Sequence, residues 1–266
     1  MFSFIVYFPL LFSTVVGFCG RLFGTLGSRF LSNVGLFMNF LSTIVIWFAL
    51  FTKQFIFYSQ VINWVFVPGL LVDWVFCFDS LGVIMFLVVN SVSCVVHFFS
   101  ASYMSTDPHL VRFMSYISFF TWFMLILVSG DNLIQVFLGW EGVGLCSYLL
   151  ISFWYTRIDA ISSGLKALIV NRISDFLFLC ALFFLSFVFC SLDFSIMLAV
   201  LDLFVFNVFL VSYSFFINGL LLCCILLIGG AMGKSAQILL HTWLPDAMEG
   251  LFYVRGFLFL SHYMRK

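Results

Sequence analysis

The chain has 266 residues, of which 64% are hydrophobic and only 8% are charged, and its formal net charge is zero. About a quarter of the residues of a soluble domain are charged, so this chain lacks the polar residues that would cover a soluble surface. The balanced charge gives no basic footprint for nucleic acid, and we expect no nucleic-acid partner. The composition therefore predicts a membrane protein that crosses the bilayer several times and contacts lipid.

Long apolar runs decide between the two membrane architectures. A barrel strand would alternate polar and apolar residues, whereas residues 81–89 and 177–190 are almost entirely apolar on both faces. At about 20 apolar residues per span, the chain has room for about seven helices. We therefore predict an all-α polytopic membrane protein with about seven transmembrane helices. The spans are expected at about 2–18, 30–51, 80–103, 113–129, 132–154, 165–190 and 214–240.

Two segments outside these spans allow a more specific expectation. The runs FIFYSQ and VDWVFCF, between the second and third spans, predict short strands or a lid outside the membrane. The segment 194–214 fits either an interfacial amphipathic helix or an extra span. We favour the interfacial helix, because an extra span would place the three cations of the tail on the outer side.

The distribution of cations predicts the orientation of the chain. We number the connections between the predicted spans in chain order. The odd-numbered connections carry most of the arginines, whereas Lys53 is the only lysine or arginine in the even-numbered ones. Positive charge favours the matrix or cytoplasmic side, so the N-terminus is predicted on the outer, intermembrane-space side. The first segment has no basic region and no cleavage site, and we expect it to be a retained span.

The cysteines give no sign of redox chemistry. None of the eight forms a C-x-x-C pair, and most lie inside apolar runs, as small core residues do. The spacings of haem and iron–sulfur ligands are missing from the sequence. We therefore expect no redox centre and no metal site on this chain.

Charged residues inside the spans are the main candidates for function, because a charge at the bilayer centre costs at least about 2.5–3.5 kcal/mol. Once the loop charges are set aside, the candidates are Glu141, Lys166, Arg172, Asp175, Lys234, His241, Asp246 and Glu249.

Glu141 and Lys234 stand apart, because each lies inside a predicted span without an opposite charge beside it in the same helix. Glycines flank Glu141 and let another backbone or water approach it. Lys234 follows three glycines in the segment Gly229–Gly233, which predict a break in the seventh helix before it. A carboxylate and a lysine in different helices, linked by water, can pass protons. We predict a proton relay, and the alternative is a structural role for both.

The remaining charges have a structural and a functional interpretation. Arg172 and Asp175 are three residues apart on one helix, so they can neutralise each other or tune the relay. Lys166 lies near a span end and can reach the interface. His97 and His109 are expected at the interface or in loops. The further candidates for the relay are Lys166, His241, Asp246 and Glu249.

Three segments resemble a known family: residues 92–157, LKALIVNRISDFLF (165–178) and GGAMGKSAQILLHTWLPDAMEG (229–250). They resemble the antiporter-like membrane subunits of respiratory complex I, in particular the N-terminal half of subunit 5, which are related to Mrp-type cation/proton antiporters. The resemblance runs from about Phe78 to Gly250. Its most specific motifs are WEGVGLCSYLLI and GKSAQ followed by HTWLPDAMEG.

The resemblance implies a function and roles for individual residues. It implies that Glu141 and Lys234 form a proton relay, that Asp175 modulates it, and that Arg172 belongs to the same motif as Asp175. It also implies a discontinuous seventh helix. The implied activity is proton translocation by a subunit of NADH:ubiquinone reductase in the mitochondrial inner membrane. Other membrane-arm subunits would be its partners, and flavin and iron–sulfur clusters would lie elsewhere in the complex.

The resemblance also leaves parts of the chain unmatched. Residues 1–77 match in hydropathy only, 78–250 carry the antiporter-like repeat, and 251–266 form a divergent tail. Because the family has a second repeat, we expect a separate chain to carry the second half. The alternatives are a modified half-channel, an inert structural remnant in the membrane arm, or a subunit of an Mrp-type antiporter. The 40 phenylalanines fit an organelle-encoded product.

Overall fold

The computed structural model describes residues 2–53, 56–67, 70–207, 213–238 and 240–250. Within these ranges the chain forms mainly helices, which confirms the predicted all-α class. They are α1 (Phe2–Lys53), α2 (Ser80–Tyr103), α3 (Leu110–Ser129), α4 (Leu133–Ile151), α5 (Ile158–Phe189), α6 (Phe194–Asn207), α7 (Tyr213–Lys234) and α8 (Trp243–Gly250). The tail 251–266 lies outside the described residues.

Two strands interrupt the helices where strands were predicted. They are β1 (Phe57–Val67) and β2 (Leu70–Phe78), and together they form a two-stranded sheet. Aromatic and β-branched residues are frequent in both, as in strands generally. After β2, the Asp79 side chain accepts a hydrogen bond from the Gly82 backbone and caps the start of α2.

Five described helices, α1 to α5, are long and apolar enough to cross a bilayer. Their outward faces carry large apolar side chains, and Phe18 and Phe187 are more than 80% exposed. So many exposed apolar residues fit a lipid environment better than water. The described part of α6 covers 14 residues, Phe194–Asn207, and the interfacial interpretation of the segment 194–214 stays a prediction.

Helix α1 holds the first two predicted spans. Its backbone is broken at Gly24, where φ is 67° and ψ is −176°. A positive φ suits glycine, because it has no Cβ to clash with the backbone. The two halves then pack side by side, since a Cβ added at Gly35 would lie 2.4 Å from the Phe12 ring. The connection between the first two predicted spans is therefore helical except at this one residue.

The chain divides into two compact units. The first contains Met1–Ser59, Phe76–Gly130 and Leu138–Phe153, and the second contains Gln60–Val75, Asp131–Phe137 and Trp154–Lys266.

The first unit is built from α1, α2, α3 and most of α4. Small residues bring α1 close to α3, and the Ser115 hydroxyl donates to the Ser13 carbonyl at 2.9 Å. A buried pair of amides joins α1 to α2, because Asn39 donates to Asn90 at 3.1 Å. Polar contacts of this kind, with close packing of small residues, hold helices together in lipid.

The second unit contains α5, α6, α7 and α8. Its apolar core draws mainly on α5, with additions from the start of α4, from α6 and from α7. Phe137 stacks on Phe178 with the ring centres 5.7 Å apart. This core holds α5 against α7, where the buried charges lie.

Candidate functional site

Asp175 and Lys234 form a buried ion pair in the second unit. Asp175 comes from α5 and Lys234 is the last residue of α7, and the lysine Nζ lies 3.5 Å from the aspartate Oδ1. The side chains are only 4% and 7% exposed, for Lys234 and Asp175 respectively. Two buried charges lower each other's cost, because their attraction offsets part of the desolvation of both. The structure thus brings together two of the four residues predicted for the relay.

Glycines on α7 allow this approach of α7 to α5. A Cβ added at Gly233 would lie 2.3 Å from the Ser174 Cβ, and one added at Gly230 would lie 3.2 Å from the Ser174 carbonyl oxygen. The prediction that these glycines break the helix before Lys234 was wrong. They remain helical, and their missing side chains make room for α5.

The helix ends just after Lys234, so the predicted discontinuity follows the lysine instead of preceding it. The Ala236 amide donates to the Gly233 carbonyl and the Gln237 amide to the Met232 carbonyl. Ala236 has a φ of 50°, so the helix ends with this residue in the left-handed conformation. The Trp243 indole also donates to the Gly233 carbonyl at 3.0 Å. The Met232 and Gly233 carbonyls therefore have partners, as a break inside a membrane requires.

The other candidates in this unit are more exposed. Lys166 on α5 forms an ion pair with Asp246 on α8, with side chains 44% and 39% exposed. Such a pair contributes less than about 1 kcal/mol to stability. Arg172 and His241 are exposed, and the side chain of Glu249 lies outside the described part of the chain. Asp175 thus forms an ion pair with Lys234, and its pairing with Arg172 on the same helix stays a prediction.

Glu141 lies in the middle of α4, in the first unit, and is partly buried. The glycines beside it bring α4 close to α3. A Cβ at Gly139 would lie 2.7 Å from the Leu127 amide nitrogen, and one at Gly142 would lie 2.0 Å from the Phe123 ring. The expectation that these glycines admit another backbone is confirmed. The pairing of Glu141 with Lys234 stays a prediction.

Acidic residues also meet in the connections of the second unit, outside the membrane helices. The Phe194 amide donates to the Asp131 carbonyl, and the backbones of Asn132 and Asp193 form an isolated antiparallel β-bridge. Burial raises the pKa of the Asp131 carboxyl, and the Asp193 charge raises it further. Burial likewise raises the pKa of Asp193, with Asp73 as the second cause. These carboxyls accept protons more readily than isolated ones.

His97 was expected at an interface, and that expectation was wrong. It is fully buried in the first unit, with Nδ1 2.8 Å from the Ser93 carbonyl oxygen and Nε2 3.1 Å from the Ser118 hydroxyl. The signal was present in the sequence, because Asn90, Ser93, His97 and Ser100 recur with helical spacing on one face of α2. All four are buried.

Two family models match the chain. Residues 130–265 match the model described as NADH:quinone oxidoreductase/Mrp antiporter, TM. The chain belongs to this family. Residues 64–114 match the model for the N-terminus of chain 5 of NADH-ubiquinone oxidoreductase (complex I).

Relatives in this family carry a consistent description. The chain is 47% identical over 250 residues to NADH-ubiquinone oxidoreductase chain 5 from Chondrus crispus and 44% identical over 250 residues to the protein of that name from Arabidopsis thaliana. Each comparison covers 94% of this chain and 37% of the relative. The chain therefore spans little more than a third of the length of these relatives.

A solved structure supports the fold. The Mrp complex from Dietzia sp. DQ12-45-1b contains a chain that is similar with a TM-score of 0.77 and 20% sequence identity. The similarity covers 96% of this chain and 26% of the other. At this level of identity, the comparison shows that the two chains share a fold.

Proposed function

We propose that the chain is the N-terminal part of a proton-translocating membrane-arm subunit of NADH:ubiquinone oxidoreductase, complex I. It would lie in the mitochondrial inner membrane, with its N-terminus toward the intermembrane space. The observation that carries the proposal is the buried pair of Asp175 and Lys234 beside a helix end inside a membrane protein. The chain 5 relatives from Chondrus crispus and Arabidopsis thaliana support the assignment to complex I.

The geometry of the pair suits proton transfer. The 3.5 Å between Lys234 Nζ and Asp175 Oδ1 is a few tenths of an ångström more than the about 2.6–3.2 Å over which a proton passes directly. A small approach of the two side chains would therefore bring them within reach of proton transfer. A proton that passes from the ammonium to the carboxylate leaves two neutral groups. Because burial penalises both charges, this neutral form is closer in energy to the ion pair than it is in water.

Neighbouring polar groups extend the proposed path. Asn171 lies one turn before Asp175 on α5, and its Oδ1 is buried without a hydrogen-bond donor among the described residues. A buried acceptor of this kind is a place where water binds. We assign to such a water the transfer of protons to or from Asp175. Arg172, on the same helix, would tune the charge of the pair.

Glu141 is proposed as a second proton-holding residue. Its central place in α4 and the close contact of its flanking glycines with α3 give a carboxylate at membrane depth on a rigid support. The more exposed residues Lys166, His241 and Asp246 are candidates for the entry of the relay, where they would exchange protons with water. Glu249 is a further candidate for the relay.

The relay needs energy from elsewhere in the complex. Moving one charge against 100 mV costs about 2.3 kcal/mol. We propose that quinone reduction in other subunits supplies it, with flavin and iron–sulfur clusters in those subunits and no redox centre on this chain. Other membrane-arm subunits are the proposed partners. Since the relatives are longer, the rest of the proton path is expected outside residues 1–266.

A second candidate is a subunit of an Mrp-type cation/proton antiporter. The shared fold with a chain of an Mrp complex and the description of the family model favour it. The two candidates differ in what drives proton movement. Complex I would couple it to NADH oxidation, whereas an antiporter would couple it to a sodium gradient.

One experiment separates these candidates. A tag on this chain allows purification of its native assembly, reconstitution into vesicles, and measurement of proton uptake with NADH and ubiquinone or with a sodium gradient. We expect NADH-driven uptake and, by mass spectrometry, the sequence of the second repeat in the same assembly. Uptake driven by sodium alone would contradict the complex I assignment. An assembly without proton uptake in either condition would indicate a structural remnant.

A further inference from the structure

A large cavity lies in the first unit, away from the proposed relay of the second. Its volume is about 750 Å³, within the about 300–1,000 Å³ of small-molecule sites. Residues of α1, α3 and α4 line it, together with the connection that leads into α3. The proposed proton transfer uses none of the lining residues.

One end of the cavity is basic. Arg21, His109 and Arg112 line it, and no carboxylate is among the described lining residues. The three lie close together, because a Cβ at Gly20 would lie 2.2 Å from the Val111 side chain. This contact brings the residue after Gly20 and the residue after Val111 to the same end.

The two arginines differ in how they are held. The Arg112 guanidinium donates to the Phe153 carbonyl at 3.3 Å and lies over the Phe153 ring, 4.8 Å from its centre. Arg112 is therefore fixed in place and partly buried. Arg21 is exposed and follows the close contact at Gly20. The cavity thus has one positioned cation and one adaptable cation at its mouth.

The remainder of the cavity is apolar and reaches into the membrane. Its walls include Phe119 and Phe123 from α3 and Leu145 and Leu149 from α4. Phe123 follows Arg112 by eleven residues on the same helix, which is a rise of about 16 Å. That is about half the roughly 30 Å thickness of a hydrocarbon core. The cavity therefore runs from the head-group level to the middle of the bilayer.

We propose that this cavity binds a phospholipid with a net negative head group. Its phosphate would lie between Arg21 and Arg112, and one acyl chain would follow Phe119 and Phe123. The separation of charge and apolar surface along one leaflet matches such a lipid in both sign and length. Basic pockets between membrane helices bind anionic head groups in this way. The inference does not depend on the proposed proton transfer.

The test uses the native assembly with the full chain in phosphatidylcholine nanodiscs. The probe is phosphatidylglycerol with a photoactivatable acyl chain, and the control probe is phosphatidylcholine with the same chain. We expect the anionic probe to label peptides that contain Phe119, Phe123 or Leu145, and to do so more strongly than the control. Equal labelling by both probes would overturn the proposal.

Three variants test the basic end. Arg21→Gln should lower labelling by about tenfold, because it removes a charge-assisted contact with the phosphate. Arg21→Lys keeps the charge and should retain most of the labelling. Arg29→Gln is the matched control, since Arg29 lies in the same connection but does not line this cavity. Undiminished labelling of Arg21→Gln would contradict the proposal. So would a cross-link that places a protein segment in the cavity.

Discussion

Asp175 and Lys234 are the only buried acidic and basic side chains, histidine aside, among the residues whose burial the structure describes. A lone charge in such surroundings is costly, so neither residue is a neutral choice for packing. Replacing a buried ion pair by apolar residues is often harmless to stability. Stability alone is therefore a weak explanation for the pair, and the role that we propose for it is proton transfer.

Removing one partner of this pair should destabilise the protein more than removing both. Asp175→Asn leaves the Lys234 charge buried and should lower the free energy of unfolding by about 3–5 kcal/mol. The double variant Asp175→Asn/Lys234→Gln should recover part of that loss. Thermal unfolding in detergent measures both. Asp159→Asn, an exposed position on the same helix, is the matched control. Additive losses in the double variant would contradict a direct pair.

The Asp193 carboxyl should make stability depend on pH. Its folded-state pKa is raised above the ordinary 3.8, so the folded protein binds this proton more tightly than the unfolded chain. The associated stability is complete below pH 3.8 and is lost as the pH rises through the folded-state pKa. Asp193→Asn should therefore raise the unfolding midpoint at pH 7 and have little effect near pH 3.8. Equal effects at both values, measured by thermal unfolding, would show that the charge is not responsible.

At the scale of elements, the close packing of α5 on α7 positions the ion pair. Glycines on α7 face Ser174 and Phe178 of α5, and the helix end after Lys234 is closed by backbone contacts and by Trp243. Shape fixes this arrangement, because a membrane offers no hydrophobic force that drives helices together. The charges can meet only if the helices approach at small residues.

Gly233→Ala should separate the two helices. Its Cβ would lie 2.3 Å from the Ser174 Cβ, and such overpacking costs about 1–3 kcal/mol. Gly229→Ala is the control, since its Cβ would meet only the flexible tip of Leu177 at 3.1 Å. Thermal unfolding should show a loss for the first variant and little for the second. Ser174→Gly should restore stability to Gly233→Ala, and failure of this rescue would argue against the contact.

The sequence predicts the helices and the sheet better than it predicts the use of its glycines. Long apolar runs leave few alternatives to membrane helices, so α2 to α5 agree with the predicted spans to within a few residues at most ends. The main exception is the start of α5, at Ile158. A glycine run, by contrast, is the same signal for a break and for close packing. The contact of Gly233 with Ser174 on another helix decides between them. The spacing of residues in the sequence does not give the distance between residues on different helices.

The sequence predicts the residues of the buried site but not how they pair, because the pairing depends on contacts between helices. The rarity of charges in the spans singles out Asp175 and Lys234, but periodicity on one helix pairs Asp175 with Arg172. The tertiary partner, Lys234, lies on another helix. The burial of His97 was not predicted, because a single histidine near a span end resembles an interfacial residue. The buried polar residues on its face of α2 distinguish it.

At the scale of the whole molecule, the chain is a membrane protein of two units that spans 37% of the length of its complex I chain 5 relatives. The buried ion pair belongs to the second unit, and Glu141 and the proposed lipid cavity belong to the first. A proton path through the family's full length would extend beyond these residues. Its activity is therefore a property of the assembly and has to be measured there.

The central claim is that Lys234 and Glu141 hold protons in transit, and proton uptake per NADH oxidised tests it most directly. The measurement uses vesicles containing the native assembly with Lys234→Gln or Glu141→Gln, and Asp159→Asn as the control. We expect assembled complexes whose proton uptake per NADH falls in the first two variants and is unchanged in the third. Unchanged proton uptake per NADH in an assembled Lys234→Gln or Glu141→Gln complex would contradict it.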